Sequence, residues 1–322
     1  MDAILKRIRR NADNGILLGL LAFVLIVMSF SSRRFLTPGF FQSIAFQLPE
    51  MGILTLSMMV PMVTGGINLA CIATANLSGI MMASWMTALI PAGTDNPALV
   101  LAIVLAGIAV CTLISLGNGV IIAYFKVPPI LATLSTQIFL NGACTAITRG
   151  KVISGFPDSF QKIGNGTVSG IPVPLLLFVV CAVIMAVILR YLPFGSRIYM
   201  YGSNATATEF SGVNPKHLIL KVYALSGFFI GVASVLLISR FNSAAAGYAV
   251  SYLLQSVLIA VLGGISPNGG TGKISGLVLA VLIFQVVASG LNILRVSQYL
   301  TMALYGVILL AAVALRSRDS SR

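Results

Sequence analysis

The sequence predicts an all-α, polytopic membrane protein of about eight to ten crossings, ten preferred, forming a single transmembrane domain over residues 1–322. Three observations lead there. Hydrophobic residues make up 58% of the 322 positions and charged residues 8%, against about 25% charge in a soluble globular chain. Apolar runs approaching the roughly 20 residues needed to cross hydrocarbon recur along the whole chain. The net charge of +13 is scattered between those runs, which marks the basic residues as topology signals in a lipid bilayer rather than a nucleic-acid footprint.

Taken in order, Lys6, Arg7, Arg9 and Arg10 precede an apolar run at 15–30. A secretory signal would need a small-residue cleavage site after it, and none of A-x-A type follows, so a retained first helix is expected. The second span, 40–63, contains Pro49 and Pro61, which a membrane helix tolerates where neighbours or water re-satisfy the freed carbonyls. It carries Glu50, the one acid expected at membrane depth and for that reason a functional candidate.

The next stretch, TGGINLACIATANLSG, is rich in neutral polar groups, among them Thr64, Asn68 and Asn76. Two readings stand: close helix–helix contact through small residues, or a helix broken at Gly65 and Gly66 beside a polar pathway.

A third span ends before the turn at 91–97, and a fourth runs over 98–125. The tight connection 126–129 leads to a fifth at 130–147, and 148–174 reads as a long Gly-, Ser- and Pro-rich loop. The sixth span is 175–192 and the seventh 218–239, followed by a polar link at 240–248. The apolar stretch 251–262 is short for a span, so a broken or re-entrant element is expected, with Gly263 and Gly264 ending it and Gln255 inside it. Spans at 274–294 and 299–315 complete the chain. With ten crossings and a cytoplasmic N-terminus, most Lys and Arg fall inside, both termini are cytoplasmic, and both glycine pairs share that side.

Between the sixth and seventh spans lies a water-loving segment, 199–217, flanked by Arg190, Arg197, Lys216 and Lys221. Asn204 has the chemistry of an N-cap, Gly212 stands where a left-handed C′ residue would end the following turns, and Pro215 prevents continuation. The segment is either an ordinary loop with a helical turn or a docking helix for a soluble partner.

Catalytic and metal chemistry find no support. Cys71, Cys111, Cys144 and Cys181 lie in apolar segments without CxxC spacing and read as buried small hydrophobes. His217 is the single histidine. GGTGKIS, 269–275, fails as a Walker A motif, since Pro267 replaces its first glycine and Ile274 its Ser/Thr.

Several motifs carry a family resemblance. YGSNATATEFSGV resembles the cytoplasmic coupling segment of ribose/xylose-type (monosaccharide) ABC importer permeases, Y-x-x-G-x-N-x-x-A-x-x-x-G-[IV], with Tyr199, Gly202, Asn204, Ala207, Phe210 and Gly212 in its neighbourhood. TGGINLA resembles that family's S-G-G-I-D-L-S, KVPPILATL its K-[IV]-P-[AP]-[FL]-I-[AV]-T-L, LPFGSRIY its [TR]-x-[FL]-G-x-x-[IV]-Y, and AVLGGISPNGGTG its V-V-L-G-G-x-x-x-x-G-G-x-G. All occur in family order. Asn68 stands where the family has Asp and Ala70 where it has Ser, and both acids of a typical Y-E-L-D-A-I-A-A are absent from 252–259. The resemblance then implies a less charged pathway lining here.

By resemblance the chain is the transmembrane subunit of a bacterial inner-membrane importer for a pentose, hexose or related polyol. It would pair with a second permease subunit, in a homodimer or heterodimer, and receive solute from an extracytoplasmic binding protein. Two ATPase subunits would bind at the 199–217 segment, with Gly202, Asn204, Ala207, Glu209 and Gly212 as its coupling residues. They would bind the ATP, and the chain itself would need no cofactor. Thr64, Asn68, Asn76 and Gln255 would contribute to the pathway, with Gly65, Gly66, Gly263 and Gly264 as helix breaks. A ribose-derived autoinducer or a nucleoside is an alternative cargo. Outside the class, the rivals are an ion-coupled secondary transporter using Glu50 and a non-transporting scaffold.

Overall fold

A chain surrounded by hydrocarbon must bond its own backbone, so its long apolar runs close as helices. In the computed structural model, residues 15–307 are described except positions 16, 20, 27, 30–34, 36, 92 and 298. The first four helices are α1 Pro38–Val63, α2 Cys71–Leu89, α3 Pro97–Phe125 and α4 Pro129–Thr148. A small lobe follows: β1 Ile153–Ser154, α5 Asp158–Asn165, β2 Thr167–Val168 and β3 Ile171–Pro172. Then come α6 Val173–Tyr191, α7 Pro193–Ser203, α8 Ala205–Phe210 and α9 Pro215–Phe241, with β4 Ser243–Ala244, α10 Tyr252–Leu262 and α11 Ile274–Ile293 after them.

Seven of the described helices (α1 to α4, α6, α9 and α11) are long and apolar enough to cross a membrane. Of the first expected span only a shorter helix, Leu17–Ile26, is described, and the last is described only to residue 307. The N-terminal basic run and the C-terminus lie outside the described residues.

The bundle is built around α1 and α9, whose most apolar windows are each 78% buried, against 22% for α4. The exposed Ile130, Ile138 and Phe139 of α4 and Leu101, Leu105 and Leu113 of α3 therefore form part of the bundle's apolar perimeter. The α9–α3 contact is close because Gly227 and Gly231 recur at small-xxx-small spacing. A Cβ on Gly227 would stand 2.7 Å from the Cys111 carbonyl oxygen, and one on Gly231 2.7 Å from the Ile108 Cα. Buried hydroxyls finish the packing: Ser234 Oγ donates to the Ala75 carbonyl at 2.6 Å and Ser78 Oγ to that of Gly107 at 2.8 Å.

At one end of the bundle the expected 148–174 loop is instead a small lobe. β1 pairs antiparallel with β4, Ile153 opposite Ala244, and β2 pairs with β3. Helix α5 lies on the end of α9, where Ser239 Oγ donates to the Phe160 carbonyl at 2.6 Å and accepts from the Gly164 amide at 2.7 Å. Its polar composition hides it from hydropathy, but Phe156 and Phe160 are buried and meet edge to face at 5.5 Å. The 240–248 link also needs correction, since Arg240 and Phe241 form the last turn of α9.

From β4 the chain continues without helix to α10. Inside a bundle such backbone needs donors, and Asn76 supplies them, its Nδ2 donating to the carbonyls of Ala246 (3.2 Å) and Tyr248 (2.9 Å). The 251–262 stretch thus has a non-helical approach followed by the short helix α10.

Candidate functional site

At the end of the bundle opposite the lobe, one turn recurs three times. Helix α8 begins at Asn204, whose Oδ1 accepts from the Ala207 amide at 2.9 Å. It ends in a Schellman turn: the Gly212 amide donates to the Glu209 carbonyl (3.0 Å), the Val213 amide to that of Thr208 (3.3 Å), and Gly212 has φ +82°. Helix α1 ends the same way. The amides of Gly65 and Gly66 donate to the carbonyls of Met62 (2.9 Å) and Pro61 (3.0 Å), with φ +81° at Gly65. At the end of α10 the amides of Gly264 and Ile265 donate to Val261 (3.1 Å) and Ala260 (3.0 Å), with φ +94° at Gly264. Both glycine pairs therefore end helices, with one left-handed member each. The other member allows close approach: a Cβ on Gly263 would lie 2.7 Å from the Leu277 Cα. Pro215 does more than stop α8, because it is the first residue of α9 behind the Asn214 cap.

The ends of α7 and α1 meet the connection that follows α10. Gly202, near the end of α7, lies on the Val63 carbonyl, which also accepts from the Gly270 amide at 2.9 Å. A Cβ on Gly202 would overlap that oxygen and crowd the Gly270 nitrogen. Gly269 (φ +89°) is wedged between the Gly202 carbonyl oxygen and the Gly65 amide nitrogen, each 2.8 Å from where its Cβ would be. Tyr199 Oη donates to the Gly272 carbonyl at 2.8 Å, and burial pushes its phenol pKa up, so it stays a donor. The GGTG sequence that fails as a phosphate loop is thus the α10–α11 connection, pressed between α7 and the end of α1. Outward from this junction, Glu209 and Phe210 on α8 are exposed, Phe210 to 88%.

Two cavities flank the bundle's buried middle. At the α8 end, a cleft of about 840 Å³ is lined by Thr64, Gly66, Lys126, Tyr201, Glu209, Gly212, Lys216 and Tyr223 among others. Burial, and then the charge of Glu209, push the Tyr201 phenol pKa up. Toward the lobe, a cavity of about 470 Å³ is lined by Gln47, Arg240, Tyr252, Gln255, Gln285, Ser289 and Asn292 among others. There Gln285 Nε2 donates to Gln47 Oε1 at 3.0 Å and to Ser289 Oγ at 3.1 Å.

The four pathway candidates do not share one chamber. Thr64 lines the first cavity and Gln255 the second. Asn68 is buried with its Nδ2 donating to Ser226 Oγ at 3.2 Å, and Asn76 holds the non-helical backbone before α10. Ala207 donates its amide to the Asn204 cap. Glu50 lines neither cavity as described; it is 1% exposed, with Oε1 3.1 Å from Arg240 Nη1. The pair is a close ionic contact without an aligned hydrogen bond, since neither Glu50 oxygen has a hydrogen-bond partner.

Sequence reasoning missed Gln47, Arg240, Gln285, Gly269 and Gly270. The glycines could have been found from the GGTG run, but Gln47 and Gln285 lie 238 positions apart and share no local signal. The four cysteines are free and buried.

Residues 40–313 match the family described as branched-chain amino acid transport system, permease component. The chain belongs to that permease family. The match takes in the helix-end junction and the residues that line both cavities. Among relatives, this permease is 35% identical over 309 residues to the ribose import permease protein RbsC of Bacillus subtilis, covering 95% of this chain and 93% of the relative. It is 32% identical to the RbsC of Haemophilus influenzae, covering 91% of each chain. It is 31% identical to the autoinducer 2 import system permease protein LsrD of Yersinia enterocolitica, covering 83% of this chain and 80% of the relative. No solved structure matches significantly.

Proposed function

We propose that this permease is the translocating subunit of an ABC importer for a neutral monosaccharide or related polyol. The observation that carries the reading is the junction at Val63, where an exposed, doubly capped helix is tied through Gly202 to the end of α1 and the α10–α11 loop. A rigid outer helix fixed to two inner helix ends is what a subunit driven from outside its own chain needs. In this reading the α8 end faces the cytoplasm and α8 receives one of two ATPase subunits, which bind the ATP. A second permease subunit covers part of the apolar perimeter, and an extracytoplasmic binding protein delivers solute to the lobe end. Ten crossings and cytoplasmic termini complete the arrangement, in a bacterial inner membrane.

The solute reading draws on relatives named for ribose import and on a cavity whose lining includes carboxamides and hydroxyls, which can exchange for a sugar's water. A ribose-derived autoinducer is the second reading, supported by the LsrD relatives. An ion-coupled carrier is disfavoured because Glu50 is engaged with Arg240.

The test is purification of the tagged chain with its ATPase subunits, followed by ATP-driven uptake into proteoliposomes. The panel holds ribose, xylose, autoinducer 2, a nucleoside and leucine, each with its binding protein. Co-elution with an ATPase and uptake of one polyol are expected. Gradient-driven uptake by the chain alone, or uptake of leucine only, would overturn the proposal.

A further inference from the structure

Arg240 is a permanent cation at the edge of a polar cavity inside an apolar bundle. It ends α9, and its side chain is 22% exposed where it lines the 470 Å³ cavity. Glu50 stands behind it, outside the described lining, with its side chain 2% exposed and its Oε1 3.1 Å from Nη1. The same Nη1 makes a long contact to the Phe46 carbonyl at 3.4 Å. Among the described residues no other acid forms an ion pair within the bundle. A charge in such surroundings is costly unless compensated, and here the compensation comes from one buried carboxylate. The cavity therefore presents an arginine fork without net charge.

The rest of the lining is neutral. Gln47, Gln255 and Gln285 provide amide donors and acceptors, and Tyr252 and Ser289 provide hydroxyls. Gln285 already bonds Gln47 and Ser289, so part of the lining is a preformed network rather than a set of loose side chains. The volume lies within the roughly 300–1,000 Å³ range of small-molecule sites.

We infer that the lobe-end cavity is a solute subsite for neutral polyhydroxylated molecules. Arg240 is its main hydroxyl-binding group, and Glu50 is the specificity residue that keeps anionic analogues out. The inference rests on the proposed reading of this permease as a polyol importer and adds its charge selectivity. A hydroxylated solute takes the outward N–H groups of Arg240 while Glu50 keeps the inner side neutral. An aldonate, the same carbon chain ending in a carboxylate, would bring a second negative charge to a cation that already has one. Removing the Glu50 charge reverses the preference, because an unpaired guanidinium attracts carboxylates and binds them bidentately.

The test uses the full chain in nanodiscs, with Cys71, Cys111, Cys144 and Cys181 replaced by alanine and Ser289→Cys as reporter in the cavity. The readout is the labelling-rate ratio for an anionic sulfonatoethyl and a cationic trimethylammonioethyl methanethiosulfonate, each normalised to a free thiol. With Glu50 and Arg240 both present, the normalised ratio is expected near one. Glu50→Gln should raise it in favour of the anion by about tenfold or more, as one uncompensated charge a few ångströms away in a medium of intermediate dielectric would. Glu50→Gln with Arg240→Gln, which removes the cation as well, should bring it back near one. D-ribose should slow labelling in the parent and D-ribonate should not, while in Glu50→Gln ribonate should protect.

Failure of Ser289→Cys to react with either reagent, an unchanged ratio in a folded Glu50→Gln variant, or ribonate protection in the parent would each overturn the inference. If Glu50→Gln does not fold, protection of the parent by ribose and not by ribonate still decides it. Uptake of a neutral polyol together with an unmoved ratio removes this inference alone. The expected ratios together with no polyol uptake remove the transport reading instead.

Discussion

Gly202 lies directly on the carbonyl oxygen of Val63, the last helical residue of α1, leaving no room there for a side chain. The same oxygen bonds the Gly270 amide, so a displacement of α7 reaches two inner segments through one atom. Gly202→Ala would force a methyl group against backbone on both sides, and backbone cannot rotate away as a flexible side chain can. Overpacking of this kind costs about 1–3 kcal/mol. The variant should express and bind its ATPase, because α8 is untouched, and lose most ATP-driven uptake. Uptake at the parent rate would show that the contact transmits nothing.

Gly212 offers a contrasting case, since nothing lies within 4 Å of where its Cβ would be. Only its φ of +82° resists a side chain, so Gly212→Val should cost about 1–2 kcal/mol, the left-handed penalty for an L-residue. Asn204→Ala, which leaves the first turn of α8 without its cap, should cost about 1 kcal/mol. Both should insert normally and associate less with the ATPase in a pull-down. If Gly212→Val assembles and transports like the parent, the segment is an ordinary loop.

These cases mark what local chemistry reveals. Asn204 and Gly212 were legible because a cap and a left-handed turn are decided within a few residues, and the helix boundaries because long apolar runs have visible ends. From sequence, Arg240 belongs to a polar link, because nothing near it in the chain announces Glu50, 190 positions earlier. The α5 lobe looks like a loop from sequence, because two buried phenylalanines in a polar stretch carry little hydropathy. Polarity is what Thr64, Asn68, Asn76 and Gln255 share in the sequence. Their separate tasks follow from which backbone or cavity each reaches, and that depends on packing between distant segments.

Asn76 provides a test of such a long-range task. Asn76→Leu removes the donors serving the Ala246 and Tyr248 carbonyls, and a buried polar group left unpaired costs about 1–3 kcal/mol. The approach to α10 should loosen. Hydrogen exchange at residues 245–251 should rise relative to α9, with a lower thermal midpoint in detergent. Unchanged protection there would mean that the backbone finds other donors and that Asn76 is not what orders this segment.

The Glu50–Arg240 pair predicts an unequal response to losing either partner. Arg240→Gln leaves a carboxylate that is 1% exposed and has no other partner among the described residues, and stranding a buried charge in this way costs about 3–5 kcal/mol. Glu50→Gln leaves a guanidinium with 22% exposure and a cavity to turn toward, so its cost should be smaller, because a partly solvated charge is not stranded. The double variant leaves two neutral amides side by side. It should be less destabilised than the sum of the singles, by a coupling of about 1–3 kcal/mol for residues in contact. Chemical unfolding of the four proteins in one detergent measures this. Equal single costs that add in the double variant would mean that the two charges are solvated independently and that Glu50 does not hold Arg240.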